Sequence, residues 1–134
     1  MRTEETKKEN LVAQAYEMKK EGWRLVCITG TDLSTDSEQK MEVLYHFARE
    51  NEVRHLRVET DGTENYPSIL SAYANALFLE NELKEMLGIP VDGIKGELLL
   101  RLEDEVKAPL KRLRGVSYET REIKVEKNAE VAPQ

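Results

Sequence analysis

The sequence predicts an α+β domain: a small antiparallel sheet of about three strands, packed with an N-terminal helix and with a second helix after the sheet, then a flexible tail. Three observations predict it. Apolar residues recur at helical spacing in two separate stretches, Leu11 to Met18 and Leu79 to Leu87. Between them, two runs alternate apolar and polar residues on either side of the polar tetrapeptide Arg49-Glu50-Asn51-Glu52. Glycine, asparagine and aspartate cluster at the joints, where turns need them.

Thr6-Lys7-Lys8-Glu9 has the spacing of a capping box, with Thr6 and Glu9 as the reciprocal partners. Leu11, Val12, Ala15 and Met18 then form one helical stripe, and Gly22 is the natural stop. Trp23 to Thr29 is a mostly apolar run and reads as a well-covered strand, with Thr29-Gly30-Thr31-Asp32-Leu33-Ser34 as the turn behind it. The next two strands fix their own register. Met41, Val43, Tyr45 and Phe47 share one face, and after the tetrapeptide Leu56 and Val58 share another. Matching the two apolar faces pairs Tyr45 with Leu56 and Val43 with Val58. It then sets His46 against His55 and Leu44 against Arg57 on the opposite face. A slip of one residue would oppose apolar to polar, so the pattern selects this pairing.

Asp61 to Asn65 is the following turn. Leu79, Leu83, Met86 and Leu87 make the stripe of the second helix, Gly88 ends it and Pro90 prevents its restart. Glu80 and Lys84 stand at the i,i+4 spacing that favours an ion pair. Pro90 to Gly96 reads as a loop and Glu97 to Leu102 as a short extended piece or a turn of helix. Residues 1–116 are expected to form one domain, and 117–134 a charged, flexible tail with few apolar residues.

Composition narrows the function. The chain has 134 residues, 40% of them hydrophobic and 34% charged, which suits one domain with a real core and a well-solvated surface. A net charge of −6 without a basic stripe argues against a nucleic-acid partner, because phosphate neutralisation supplies most of that affinity. No apolar run approaches the roughly 20 residues that span a bilayer, and Met1 to Glu5 contain no apolar signal region. The expectation is a cytoplasmic protein with no direct membrane insertion. The single cysteine, Cys27, excludes an internal disulfide and an all-cysteine cluster site. Its place in Leu25-Val26-Cys27-Ile28 predicts a buried structural thiol.

Catalytic readings find little support. His46 and His55, the only histidines, could form a two-ligand metal site across the hairpin; two imidazoles on its solvent side are the plainer reading. Glu80, Glu82 and Glu85 could be an acid–base cluster, but a helix flank facing solvent or another subunit explains them without a perturbed carboxyl group. Both histidines sit in one hairpin and Cys27 in a core strand, so no nucleophile–histidine arrangement can be built. Gly93-Ile94-Lys95-Gly96 lacks the glycine count and the strand-to-helix context of a phosphate loop. The basic end of Arg101 to Arg114 is by itself a generic charged surface.

Four segments in matching order give the chain its family likeness. Tyr66-Pro67-Ser68-Ile69 contains a P-S-I segment. Glu80-Asn81-Glu82-Leu83-Lys84-Glu85-Met86-Leu87-Gly88-Ile89 is similar to E-R-E-x-x-D-x-F-G-I. Leu98-Leu99-Leu100-Arg101-Leu102-Glu103-Asp104 is similar to R-x-L-L-P-E-D, and Pro109-Leu110-Lys111-Arg112 to P-L-R-K. In this it resembles the C subunit family of respiratory NADH:quinone oxidoreductase (complex I) and of membrane-bound energy-converting NiFe hydrogenases. Asn81, Glu85, Leu87 and Leu102 depart from the family's arginine, aspartate, phenylalanine and proline, and a long acidic extension is missing. These departures point to a short hydrogenase-type relative.

The resemblance implies a non-catalytic hydrophilic-arm subunit that holds no cofactor or metal. It would scaffold a large NiFe- or quinone-site subunit beside a small iron–sulfur subunit, at the inner face of the membrane. It places the subunit interface at Glu80, Glu82, Glu85, Gly88, Ile89, Arg101, Pro109, Lys111 and Arg112. The alternative is a stand-alone ligand-binding or regulatory α+β module, dimeric through its open sheet face.

Overall fold

The computed structural model describes residues 2–101 and 103–111. The expected tail, residues 117–134, therefore lies outside the described residues. Six elements follow in order: β1 (Arg2–Glu5), α1 (Lys8–Lys20), β2 (Arg24–Asp32), β3 (Met41–Arg49), β4 (Glu52–Thr60) and α2 (Ala76–Leu87). The strands form one mixed sheet in the order β1-β4-β3-β2. The class is α+β as the sequence predicts, with one strand more than expected.

The hairpin register is the one the alternation selects. Tyr45 pairs with Leu56, Val43 with Val58, His46 with His55 and Leu44 with Arg57. The connection is tighter than the expected tetrapeptide, because Arg49 still pairs with Glu52 and only Glu50 and Asn51 turn the chain. Glu50 takes the left-handed conformation that this tight turn requires, at φ 51°.

Three local expectations are corrected. Residues 2–5 form a strand, parallel to β4 at the sheet edge, where the sequence shows no apolar alternation to announce it. Its anchor is ionic: Arg54 donates two hydrogen bonds to the Glu4 carboxylate at 2.8 and 2.7 Å. The capping box does not form. Thr6 prolongs the β1 ladder by donating its amide to the Arg57 carbonyl at 2.9 Å, its hydroxyl bonds Gln14, and Lys7 occupies the cap position. Thr29 to Asp32 are strand rather than turn. Gly30 is needed there for close approach. A Cβ at this position would lie 2.4 Å from Leu87 Cδ1 and 2.7 Å from Leu83 Cδ2, so the missing side chain is what lets α2 lie on β2.

One face of the sheet carries the core. Leu25, Ile28, Met41, Val43, Tyr45, Phe47, Leu56 and Val58 project onto it. Leu11, Ala15 and Met18 of α1 and Leu83 and Leu87 of α2 cover them, with Tyr66, Ile69, Ala72 and Tyr73 from the connecting segment. The Tyr73 hydroxyl donates to the Trp23 carbonyl at 2.8 Å and the Tyr66 hydroxyl to the Val58 carbonyl at 3.2 Å, so the phenols are buried with partners. A register shift between Leu25 and Cys27 turns both Leu25 and Ile28 inward. Val26 is left exposed, and Cys27 falls on the other face opposite His46. The thiol expected to be buried is therefore half-buried, on the open face of the sheet.

Candidate functional site

The motif-bearing helix α2 runs from Ala76 and stops at Gly88, whose φ of 66° is left-handed. The Gly88 and Ile89 amides donate to the Lys84 and Leu83 carbonyls at 3.1 and 3.2 Å, which closes the helix end. Any side chain at Gly88 would also crowd Ala108, since its Cβ would sit 3.1 Å from the Ala108 Cβ. Leu83 and Leu87 are buried, while Leu79 and Met86 are half-buried at the edges of the stripe.

Glu80 is placed differently from the sequence reading. It is fully buried and its partner is not Lys84. Its Oε2 accepts from the Ser68 hydroxyl at 2.6 Å and its Oε1 from the Ile69 amide at 2.8 Å. Two of the four resembling segments, P-S-I and E-x-E, are thereby joined inside one protein. Glu80 is a strut that fixes the connecting segment onto α2, and it cannot be a surface contact. Burial pushes its pKa above the ordinary carboxylate value, although both hydrogen bonds pull the other way. Burial together with the Glu80 charge pushes the Tyr45 phenol well up. Ile89 is likewise buried completely, so neither expected contact residue lies at the surface.

Glu85 has a second structural task. Its carboxylate accepts from the Leu99 amide at 3.0 and 3.1 Å and from the Leu100 amide at 3.2 Å. This pins an irregular segment, neither the helical turn nor the extended piece expected at Glu97 to Leu102, with Leu98, Leu99 and Leu100 exposed at 49, 39 and 54%. The Leu110 amide donates to the Met86 carbonyl at 2.8 Å, which draws the P-L-K segment to the same end of α2, and Leu110 itself is 65% exposed. Glu82, Arg101 and Pro109 are exposed, Gly88 and Lys111 are half-buried, and Arg112 lies outside the described residues. The expected interface residues thus divide into two buried struts and a surface cluster. Periodicity could have found the exposed leucines, because Leu98-Leu99-Leu100 has no polar alternation for a half-buried strand.

Beside this cluster, Ile28, Gly30, Glu82, Leu83, Met86, Leu87 and Leu110 line a shallow cleft of about 110 Å³. A larger one of about 520 Å³ opens at the sheet's edge between Trp23, Arg2, Asn51 and Arg54. The Arg49 and Arg54 guanidiniums lie 4.6 and 5.9 Å from the Trp23 ring centroid, and Glu4 accepts from Arg54 Nη2, while the buried Arg54 Nε has no hydrogen-bond partner among the described residues.

On the open sheet face the histidine rings meet edge to face, with centroids 4.6 Å apart and Nδ1 facing Nδ1 at 2.6 Å. His46 Nε2 lies 2.9 Å from the Thr29 hydroxyl. Burial, and then the neighbouring His55, lower the His46 pKa. Among the described residues no three His, Cys, Asp or Glu side chains converge as a metal cluster, and no helix is long and apolar enough to cross a membrane. This arrangement can pin segments and present a surface; the hydroxyl of Thr29 and the thiol of Cys27, which the sequence reading kept apart from the histidines, both stand beside His46 on the open face.

The fold is a helix-on-sheet domain in which the joined motifs meet at α2. The respiratory-chain NADH dehydrogenase 30 kDa subunit family matches residues 4–118, and the chain belongs to that family. Two solved structures share the fold. One is the membrane-bound sulfane sulfur reductase, an archaeal respiratory membrane complex, with a TM-score of 0.65 at 21% identity over 84% of this chain and 69% of that one. The other is the trypsin-resistant fragment of Nqo5, with a TM-score of 0.59 at 20% identity over 69% of this chain and 80% of that one. A search of curated protein sequences returned no match.

Proposed function

We propose that this chain is a non-catalytic subunit in the hydrophilic arm of a membrane-bound oxidoreductase complex of the NADH dehydrogenase or energy-converting NiFe hydrogenase type. The observation that carries the reading is the family match through the whole described fold, from β1 past the segment docked on α2. The chain's part is mechanical. The sheet and α2 form a rigid platform, and Glu80 and Glu85 pin the segments on either side of it. The platform presents Leu98, Leu100 and Leu110 with the charged side chains of Glu82, Arg101 and Lys111 around them. Apolar anchors ringed by charge are what a specific subunit contact uses, with burial giving affinity and the charges setting partner choice. We assign the large redox subunit to this surface and the small iron–sulfur subunit to a neighbouring position. Membrane association then comes through those partners, at the inner face.

Reversing the charges of exposed Glu82 and half-buried Lys111 should separate assembly from folding. The Glu82→Lys and Lys111→Glu variants should melt within about 0.5 kcal/mol of the unaltered chain. Both should be lost from the affinity-purified complex. Variants that still co-purify in full would remove this end of α2 as the docking face, and variants that unfold would show these charges to be structural.

A further inference from the structure

We propose that His46 and His55 form a chelating site for one borderline divalent transition cation, of the Zn²⁺ and Ni²⁺ class, on the open face of the sheet. The site is independent of the subunit reading. Three features of the sheet's open face carry it.

First, the two Nδ1 atoms face each other at 2.6 Å from directly opposed positions of β3 and β4. Two neutral imidazoles can meet so only if one Nδ1 carries a hydrogen and the other presents its lone pair. Shifting that one hydrogen to Nε2 of the same ring, a change of tautomer in neutral imidazole, leaves an Nδ1 lone pair on each ring. Metal–nitrogen bonds of about 2.0–2.1 Å then require the rings to part by under about 1 Å and to tilt, so that both lone pairs meet at a point beside the line between the nitrogens.

Second, the Thr29 hydroxyl at His46 Nε2 is the outer partner that a ligating imidazole uses. The hydroxyl can accept from Nε2–H, and in that tautomer Nδ1 is free to bind the cation. Third, the charges are tolerable. From β4 and β1 the same face brings Arg57, Glu5 and Glu59, and from β3 Glu42. Glu5 and Glu42 both pair with Arg57, while Glu59 pairs with Lys40. Cys27 of β2 stands opposite His46 and Thr3 of β1 opposite His55, so the row contains no unpaired cation to repel the metal. Water fills the remaining coordination positions. Imidazole nitrogen selects Ni²⁺ and Zn²⁺ over Mg²⁺.

The test is calorimetric titration of the tag-free full chain with Ni²⁺, Zn²⁺ and Mg²⁺ salts. The expected result is one equivalent of Ni²⁺ or Zn²⁺, no binding of Mg²⁺, and affinity that falls as pH drops through the imidazole range. His46→Ala and His55→Ala should each weaken binding by about a hundredfold or more, and Thr29→Val by about tenfold. Cys27→Ser should leave it within about twofold if the thiol is not a ligand. Long-range ¹H–¹⁵N spectra of the unaltered chain give a reading that no variant can spoil by unfolding: Zn²⁺ should move the Nδ1 resonances of both histidines. Binding equal in the unaltered chain and the His46→Ala/His55→Ala double variant would overturn the assignment. So would Zn²⁺ that moves neither Nδ1 signal, which leaves a pair that only shares a proton, or a Cys27→Ser loss as large as the histidine losses.

Discussion

Leu83→Ala should lower the stability of the free chain by about 2–5 kcal/mol. Leu83 is 2% exposed at the centre of α2, and its Cδ2 reaches to 2.7 Å of where a Gly30 Cβ would stand. Truncation therefore opens a hole directly over the bare backbone of β2, which has no side chain of its own to fill it and leaves only Leu87 and Ile89 at its border. The rigid sheet limits collapse, which favours the upper half of the range. A domain of this size has only about 5–15 kcal/mol in total, so the variant should be marginal near body temperature. Denaturant titration measures it, with the slope unchanged and the midpoint displaced. A change under about 1 kcal/mol would mean that α2 does not seat on Gly30 as described.

Replacement of Glu80 should divide sharply by chemistry. Glu80→Ala strands the buried Ile69 amide and the Ser68 hydroxyl, and each lost partner costs about 1–3 kcal/mol in a dry site. Glu80→Gln should be tolerated, because its carbonyl can accept from Ile69 while its amide donates to Ser68, whose hydroxyl both donates and accepts. The pH dependence then isolates the charge. The folded-state pKa of Glu80 is raised, so the stability this group contributes is fully present below the ordinary carboxylate value and is lost as pH rises through the folded one. The unaltered chain should therefore carry a component of stability that declines with rising pH across the mildly acidic range, and Glu80→Gln should lack that component. Parallel pH profiles for the two proteins would show that Glu80 titrates as it does in the unfolded chain.

The hairpin was legible because both strands alternate, and only one register keeps every apolar side chain on the same face as its partner. The stop at Gly88 was legible for a similar reason, since a left-handed residue and a following proline leave the helix no continuation. What sequence pattern missed depends on the third dimension. Arg2-Thr3-Glu4-Glu5 carries no periodicity, and it becomes a strand only because β4 offers an unpaired edge and Arg54 waits for Glu4. Gly30 sits among turn-forming residues and so reads as a turn, yet its role is to admit two leucines from a helix more than fifty residues later. A bulge at Val26 shifts the strand's parity, which moved Cys27 to the open face. Glu80 and Glu85 look like a solvated flank because charge is the only thing the sequence displays. Their partners, backbone amides at Ile69, Leu99 and Leu100, leave no signature of their own. The resemblance to the family was carried by these same segments, and the other three each bond to the α2 segment. That is why their order was informative even though the chain shows no catalytic constellation.

Membership of a larger redox assembly is tested most directly by purification of the chain, tagged at its own locus, from detergent-solubilised membranes of its native cells, with the eluate identified by mass spectrometry. The expected result is stoichiometric recovery of a large redox subunit and a small iron–sulfur subunit together with membrane subunits of the same complex. Recovery of the chain alone, or only as a homodimer in the soluble fraction, would contradict it.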